Sequence, residues 1–540
     1  MEEIVNLLMI NGKIRTMDVQ ETIAQAVGIR QGRIAVIGTT QQVLQTKMQK
    51  DEVIDLKGKT VFPGFIDAHN HMIYYGTELL GINCRDESIR SIDDIVIKIA
   101  AKVASSPPGH WLRGYGYDDA LLEEGRQPRC EDLDPVSPEN PVVLYRTCGH
   151  MLVANSKALE ICGVTKNTAN PPGGKIDRDP ATGQPTGLMQ ETAQELIKNS
   201  MDPFLIEELV EAVEMAANQY LSEGITSVQE AGVGYFQKTV DEMKAYQLAG
   251  LKGSPRPRIC LYLLKDALPQ LASLAILKGF GDDMLRINGI KSFADGVPSA
   301  HTGAVYEPYA NAPDETGILC MEKDELLGTV EEIHRNGLQS SIHAIGDRAI
   351  DVVLDAYEHV LKIIPRDDHR HRIEHFTMAS PHQIERAKSL GIIPVVASTE
   401  VPFYGDAFVK NLGLQRAEWC YPLRSMLDGE LPVALCTDRP FDPVGNPLYS
   451  VQAAVERKTR SGHVIGKAQC IQVKEAFRMH SIHAAYAAFE EKLKGSIEVG
   501  KLGDFVVYPI DPFEVKIEEL PNIPVSYTII GGNVVYTGQE

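Results

Sequence analysis

Apolar and polar positions along this chain follow one rhythm at its two ends and another between them. Near the N-terminus, short apolar runs at 6–10, 14–17, 24–29, 33–37 and 52–55 are separated by turn residues. Asn11-Gly12 after the first run is a hairpin signal, and Gln31-Gly32 and Lys57-Gly58 are further turns. The C-terminal end has the same texture, with runs at 504–508, 525–530 and 533–536 around Gly531-Gly532. Each end is too thin to enclose a core by itself. The two are expected to pair into one small β-sandwich, residues 1–60 plus 490–540.

Between the ends, apolar runs of strand length alternate with stretches of helical period. The strand runs fall at 61–66, 224–229, 258–264, 287–293, 338–343, 371–375, 392–397 and 433–437. Helical patterns at 206–222, 323–336, 349–363 and 381–390 separate several of them. Strand–helix alternation signals a parallel sheet, and eight units predict an α/β fold of the (β/α)8 TIM-like barrel type over residues 61–489. An open doubly wound sheet is the alternative, but no glycine-rich dinucleotide turn supports it. The gap between the first two strands is too long for a simple connection. Residues of about 76–200 are therefore an insertion, with Trp111, Tyr115, Tyr117 and Tyr145 and the turn Pro171-Pro172-Gly173-Gly174. It leaves from the end of strand 1, where barrel enzymes keep their functional loops, so a lid over the active site is expected.

Composition narrows the class. With 540 residues, 44% hydrophobic and 23% charged, the chain is of ordinary globular make-up. A net charge of -20 and the lack of a basic run argue against nucleic-acid binding. No apolar run approaches the ~20 residues that span a membrane, and Met1-Glu2-Glu3 begins without a secretory leader pattern. Nine cysteines without CxxC pairs suggest reduced thiols and a cytoplasmic protein.

The chemistry gathers at predicted strand ends. The stretch from Pro63 to His71 delivers His69 and His71 to one side of a buried strand, where two imidazoles can grip one metal ion. Two satisfied core histidines are the bland alternative. Lys291 lies within an apolar strand, where desolvation disfavours its ammonium. A neutral amine there could act as a nucleophile or add carbon dioxide to give a carbamate, an anionic bridge for two metals. The alternative is an ion pair with Asp295 or Asp67. His343, His375 and Asp438 stand at the ends of the fifth, sixth and eighth strands. Imidazole and carboxylate together suit zinc, and also manganese, iron or nickel.

The order His-x-His, Lys, His, His, Asp over eight strand–helix units resembles the amidohydrolase superfamily of metal-dependent hydrolases. The resemblance runs through PGFIDAHNH, IHAIGDRAID, RIEH, CTDRP and the exit segment 494–504. GHMLVANSKAL (149–159), GLMQETA (187–193) and KSFADG (291–296) are similar to the branch that includes N-substituted formamide deformylases. The resemblance implies that His69 and His71 hold a buried divalent metal, zinc first. It implies that Lys291, as a CO2-derived carbamate, bridges to a second ion held by His343 and His375, and that Asp438 binds metal and handles the proton. A metal-activated hydroxide would then cleave the C–N bond of an N-acyl or N-formyl amine or a lactam. Two positions depart from the branch: His301, where Arg is common, and Glu400, where an amide is common. They, with His150, Asn155 and Glu191, are candidate substrate contacts; for the last three a structural role holding the lid is the alternative. Asp347 is expected to be a helix N-terminal carboxylate, and His359, His369 and His463 surface or core residues. A single-metal deaminase of an amino-heterocycle and a non-catalytic barrel are the competing functions. A small-molecule substrate is expected, with no nucleic acid or membrane partner; the oligomer is open, a homodimer included.

Overall fold

A computed structural model describes residues 6–85, 88–119, 121–146, 151–171, 174–234 and 239–539. By internal contact the chain falls into two compact units, residues 1–72 with 217–540 and residues 73–216.

The larger unit is built on a parallel sheet of eight strands, β1 (Phe65–Asn70), β2 (Ile225–Val233), β3 (Arg258–Leu264), β4 (Leu285–Phe293), β5 (Gln339–Ala344), β6 (Arg372–His375), β7 (Ile393–Val396) and β8 (Ala434–Leu435). Each strand pairs with the next in parallel register. The first and last strands then meet. The Asp438 N–H donates to His69 O at 2.9 Å, and the His71 N–H donates to Arg439 O at 2.8 Å. Thr437 adds its N–H and hydroxyl to the Asp67 carboxylate at 2.9 and 2.6 Å. The sheet is thus a nearly closed barrel. Period-2 alternation sorts β1: Ile66 and Ala68 pack against Ala484, Ala485 and Ala487, while Asp67 and His69 take the other face. The predicted helices appear as Lys323–Arg335, Asp347–Ile363 and Pro381–Leu390, the last opened by a Ser380–Gln383 capping box.

Two local expectations are corrected. The run 61–66 is not one strand. Thr60–Pro63 pairs with Phe505–Tyr508, and only Phe65–Asn70 belongs to the barrel. Gly64 sits at the break, where a Cβ would lie 2.1 Å from the Thr226 hydroxyl, so only glycine lets the two sheets share the chain. Asn11-Gly12 is not a hairpin either. Leu7–Ile10 pairs with Ala26–Arg30 and Glu52–Asp55, whereas Lys13–Arg15 pairs with Ile23–Ala24 and Thr60–Pro63. The dipeptide is a corner between sheets, packed on Leu56. The sheet entered by Lys13–Arg15 continues through Thr60–Pro63 to Phe505–Tyr508, Tyr527–Ile530 and Asn533–Thr537. Leu7, Val27 and Ile29 from one sheet and Ile14, Val61, Phe505 and Ile529 from the other share one apolar core.

The smaller unit has its own six-stranded mixed sheet, in the order Gly174–Arg178, Pro185–Glu191, Met151–Ala154, Val142–Arg146, Leu112–Tyr117 and Ile82–Asn83. An apolar core lies on each face, one around Ile95 and Tyr117 and one around Trp111 and Met189. Among the described residues no helix is long and apolar enough to cross a membrane, and eight cysteines are free.

Candidate metal centre

Four imidazoles and a carboxylate line the C-terminal ends of β1, β5 and β6 and the segment after β8. Ring centroids of His69 and His71 are 5.3 Å apart, of His69 and His375 5.2 Å, and of His343 and His375 4.5 Å. Asp438 Oδ1 stands 3.4 Å from Nε2 of both His69 and His71. Both separations are long for a hydrogen bond, and Oδ1 is buried with no hydrogen-bond partner. Ligand atoms ~2.0–2.1 Å from a tetrahedral ion would themselves be roughly 3.4 Å apart. An orphaned buried oxygen at that distance from two imidazole nitrogens therefore fits a metal ion. His375, Glu400 and Asp438 form a second compact donor set.

The far nitrogen of each ring explains how it is aimed. His69 Nδ1 is held by Glu374 Oε2 at 2.5 Å, leaving Nε2 toward Asp438. His343 Nε2 is 3.2 Å from Gly296 O and must donate to it, which leaves its Nδ1 as the basic nitrogen. His375 Nδ1 is 3.2 Å from Glu400 Oε1. Carboxylate or carbonyl support of the far nitrogen is the usual arrangement behind a metal-binding histidine.

Glu374 in turn accepts from Arg372 Nε at 2.7 Å and Nη2 at 2.8 Å, and from Ser341 Oγ at 2.7 Å. Arg372 is wholly buried, and it also donates to Ala68 O and to Gln229 across the barrel interior. Alternation on β6 therefore points Arg372 and Glu374 inward, and His375 should point away. It does not, because the backbone turns left-handed at His375 (φ 69) and Phe376 (φ 47). Asp438 is likewise at φ 52. Such conformations cost of order 1–3 kcal/mol each and collect at functional sites.

Electrostatics favours neutral rings at His69, His71 and His343 beside an ionised carboxylate, whereas at His375 burial is outweighed by the Glu400 and Asp438 carboxylates and the pKa is raised. Burial, with the Lys291 amine adding to it, pushes His69 down to about 3. Burial also lowers His71, and it carries His343 well below the ordinary range. Burial works against ionisation of Asp438, but His71 and the neighbouring rings hold it well below the usual carboxylate range. Burial likewise opposes Glu374, and Arg372 overrides it.

Lys291 is 1% exposed, with its amine 3.4 Å from His69 Nε2. Burial lowers it to about 8. Neither expected ion-pair partner holds it. Asp295 accepts the backbone N–H groups of Ala304, Ile345 and Gly346 at 2.8–3.0 Å. Asp67 is taken up by Thr437. Burial raises both carboxyls to about 7. Among the described residues, no carboxylate lies within ion-pair distance of the Lys291 amine.

The expected substrate contacts fare differently. Glu400 is buried against His375, so it joins the cluster. Asn155 has the structural role that is the alternative for it. It caps the helix Ser156–Ile161, accepts from Val142 and Ala158, and donates to Ser137 and Asn140, so its amide is fully used inside the smaller unit. Glu191 ends the strand Pro185–Glu191 at φ 50, exposed to solvent. His301 lies in the loop after β4, 3.0 Å from Asn311 and 4.8 Å from the Tyr309 ring. His150 falls outside the described residues. Asp347 is the first residue of its helix and accepts the Tyr306 N–H at 3.0 Å. Sequence reasoning missed Arg372 and Glu374. The signal was available in RIEH, where two charged residues share the buried face of a short strand.

Similarity to known proteins agrees with this geometry. The model of the "Amidohydrolase family" matches residues 52–536. Protein LONG AFTER FAR-RED 3 of Arabidopsis thaliana is 32% identical over 99% of this chain and 92% of its own. An N-substituted formamide deformylase of Arthrobacter pascens is 31% identical over 99% of both chains. The crystal structure of an uncharacterized metal-dependent hydrolase from Pyrococcus furiosus superposes with a TM-score of 0.79 at 28% identity, covering 94% of this chain and 100% of that one. With its eight parallel strands and its histidine–aspartate cluster at their ends, this chain belongs to the amidohydrolase family of hydrolases.

Proposed function

We propose that this protein is a metal-dependent hydrolase that cleaves the C–N bond of an amide-type small molecule, an N-acyl or N-formyl amine or a lactam. The observation that carries this is the orphaned, buried Asp438 Oδ1 set 3.4 Å from two imidazole nitrogens. His69, His71 and Asp438 would hold one divalent ion, zinc being the natural fit to that donor set. His343 and His375 would hold a second, with Lys291 carboxylated as the bridge. Such ions supply Lewis acidity, polarising a carbonyl and acidifying water. The 31% identical relative, whose printed name is N-substituted formamide deformylase, supports the amide class.

The chain's own residues do the rest. The rings of His69, His71 and His343 offer lone pairs because burial keeps protons off them. Asp438, held ionised, takes the proton from the attacking water and returns it to the leaving nitrogen, and one carboxylate can serve both steps because it lies between the imidazoles. Lys291 has a buried amine without a carboxylate partner among the described residues, the state from which a carbamate forms. The left-handed turns at His375 and Asp438 hold both groups in one geometry before substrate arrives.

We read the terminal strands as one β-sandwich beside the barrel, and the insertion that follows β1 as a lid. The second reading, a one-ion deaminase of an amino-heterocycle, draws on the His69–His71–Asp438 set being complete by itself.

Metal analysis of the purified protein followed by a screen of N-acyl amines, lactams and amino-heterocycles tests the assignment. Bound divalent metal and amine release from the acyl compounds are expected. Lys291→Ala should lower metal content, and a short carboxylic acid should restore part of it. Turnover of ring amidines alone would move the assignment to the deaminase, and full activity after chelation would end it.

A further inference from the structure

Among the described residues, three carboxylates come within 3.4 Å of the imidazoles of the cluster, and two already have work. Asp438 stands between His69 and His71, and Glu374 holds Nδ1 of His69. Glu400 is the third. Its Oε1 lies 3.2 Å from His375 Nδ1, and its Oε2 accepts the Tyr421 hydroxyl. Tyr421 is fully buried and doubly clamped. Its backbone N–H donates to Thr377 O at 2.7 Å, and its carbonyl accepts Arg457 Nη1 at 2.8 Å. Thr377 follows His375 by two residues, so the clamp closes on the turn that carries the histidine.

We propose that Glu400 is a positioning residue, holding His375 by Nδ1 so that Nε2 is left for an ion, with Tyr421 as its anchor. This rests on the metal-hydrolase reading of the same site. It repeats on β6 what Glu374 does for His69 on β1. A carboxylate on the far nitrogen fixes the tautomer, orients the ring and raises its basicity as a ligand. The two arms differ in charge. Glu374 is shared with the Arg372 guanidinium, whereas Glu400 leans on a neutral phenol, so more of its charge acts on the histidine. Direct ligation is the competing role, since Glu400, His375 and Asp438 offer atoms within 4.8 Å of one another. Both Glu400 oxygens are already engaged, which favours positioning.

The test is cobalt(II) titration of the metal-stripped full chain, read by visible absorbance, for wild type, Glu400→Leu, Glu400→Gln and Tyr421→Phe. Glu400→Leu should weaken binding at one site by about 10–100-fold. Glu400→Gln keeps an acceptor for the Nδ1 proton and should recover most of that loss without changing the cobalt band, and Tyr421→Phe should fall between. Wild-type affinity in both Glu400→Leu and Tyr421→Phe overturns the proposal. So does an equal loss in Glu400→Gln and Glu400→Leu with a changed band, the signature of a ligand. If Glu400→Leu does not fold, Tyr421→Phe decides alone, and unchanged affinity there overturns it. Wild type that takes up no cobalt refutes the metal reading itself, before any variant is compared.

Discussion

Histidines gather at the C-terminal ends of β5 and β6 and again in the segments that lead into them, and the two clusters behave in opposite ways. At the C-terminal ends, His343 and His375 stand with His69, His71 and Asp438. At the N-terminal ends, His334, His369 and His371 pack as closely, with ring centroids 4.7 and 5.1 Å apart. There every ring nitrogen is used. His334 Nε2 donates to Ile364 O, and His334 Nδ1 accepts from His371 Nε2 at 2.8 Å. His371 Nδ1 accepts the Ser340 N–H. His369 Nδ1 accepts the His371 N–H, and its Nε2 donates to Leu390 O. No lone pair is left for an ion. The upper cluster has one nitrogen per supported ring committed and an acidic oxygen left over. The number of histidines does not mark the site; what their second nitrogens touch does.

The largest expected effect breaks the upper cluster. Asp438→Asn should lower kcat by about 10³–10⁴-fold, the scale of a lost general acid–base group with a ligand added. Steady-state kinetics on the best substrate of the screen checks it, and a loss below ten-fold would remove Asp438 from the chemistry. Next comes the carboxylate that sets the two clusters apart. Glu374→Ala leaves Arg372 as an uncompensated buried charge, at a cost of about 3–5 kcal/mol in stability. Urea unfolding of the metal-free protein measures it; a smaller cost than for an exposed glutamate such as Glu332 would refute the buried pair.

The lower cluster should answer in reverse. His371→Ala orphans the Ser340 N–H and one nitrogen of His334, at roughly 1–3 kcal/mol for each group. Bound metal and kcat should stay at wild-type values in the folded fraction, and a drop in metal content would blur the distinction. The smallest effect is acid sensitivity. Burial pushes His369 down to about 4, against 6.5 for the free imidazole. The unfolded chain therefore takes the proton first. Stability is lost as pH falls from about 6.5 and the loss is complete near 4, at most about 3 kcal/mol from this ring. Unfolding midpoints of His369→Gln, followed over that window in metal-free protein, should fall less steeply than wild type.

Much of the centre was legible because strand ends impose a simple rule. His69 follows from alternation on β1, and Lys291 from an apolar strand that would not otherwise hold an amine. Arg372 and Glu374 were not legible as a pair, because their partners, Ala68, Gln229 and His69, lie 143 residues or more away along the chain. The lower cluster was invisible for the same reason. His334 sits on a helix and His371 before a strand, and only packing brings them to 2.8 Å.

By itself, then, the order of apolar runs determined eight strand–helix units and the residue types at their ends, because period and composition are local properties. Tertiary structure decided which sheet each terminal strand joins, that 61–66 breaks at Gly64, and that Asn155 is spent on a helix cap. It also decided that His375 reaches the cluster at all. Alternation would send that ring outward, and the left-handed turn that brings it back is held by Thr377, Tyr421 and Glu400, contacts that exist only once the barrel has formed.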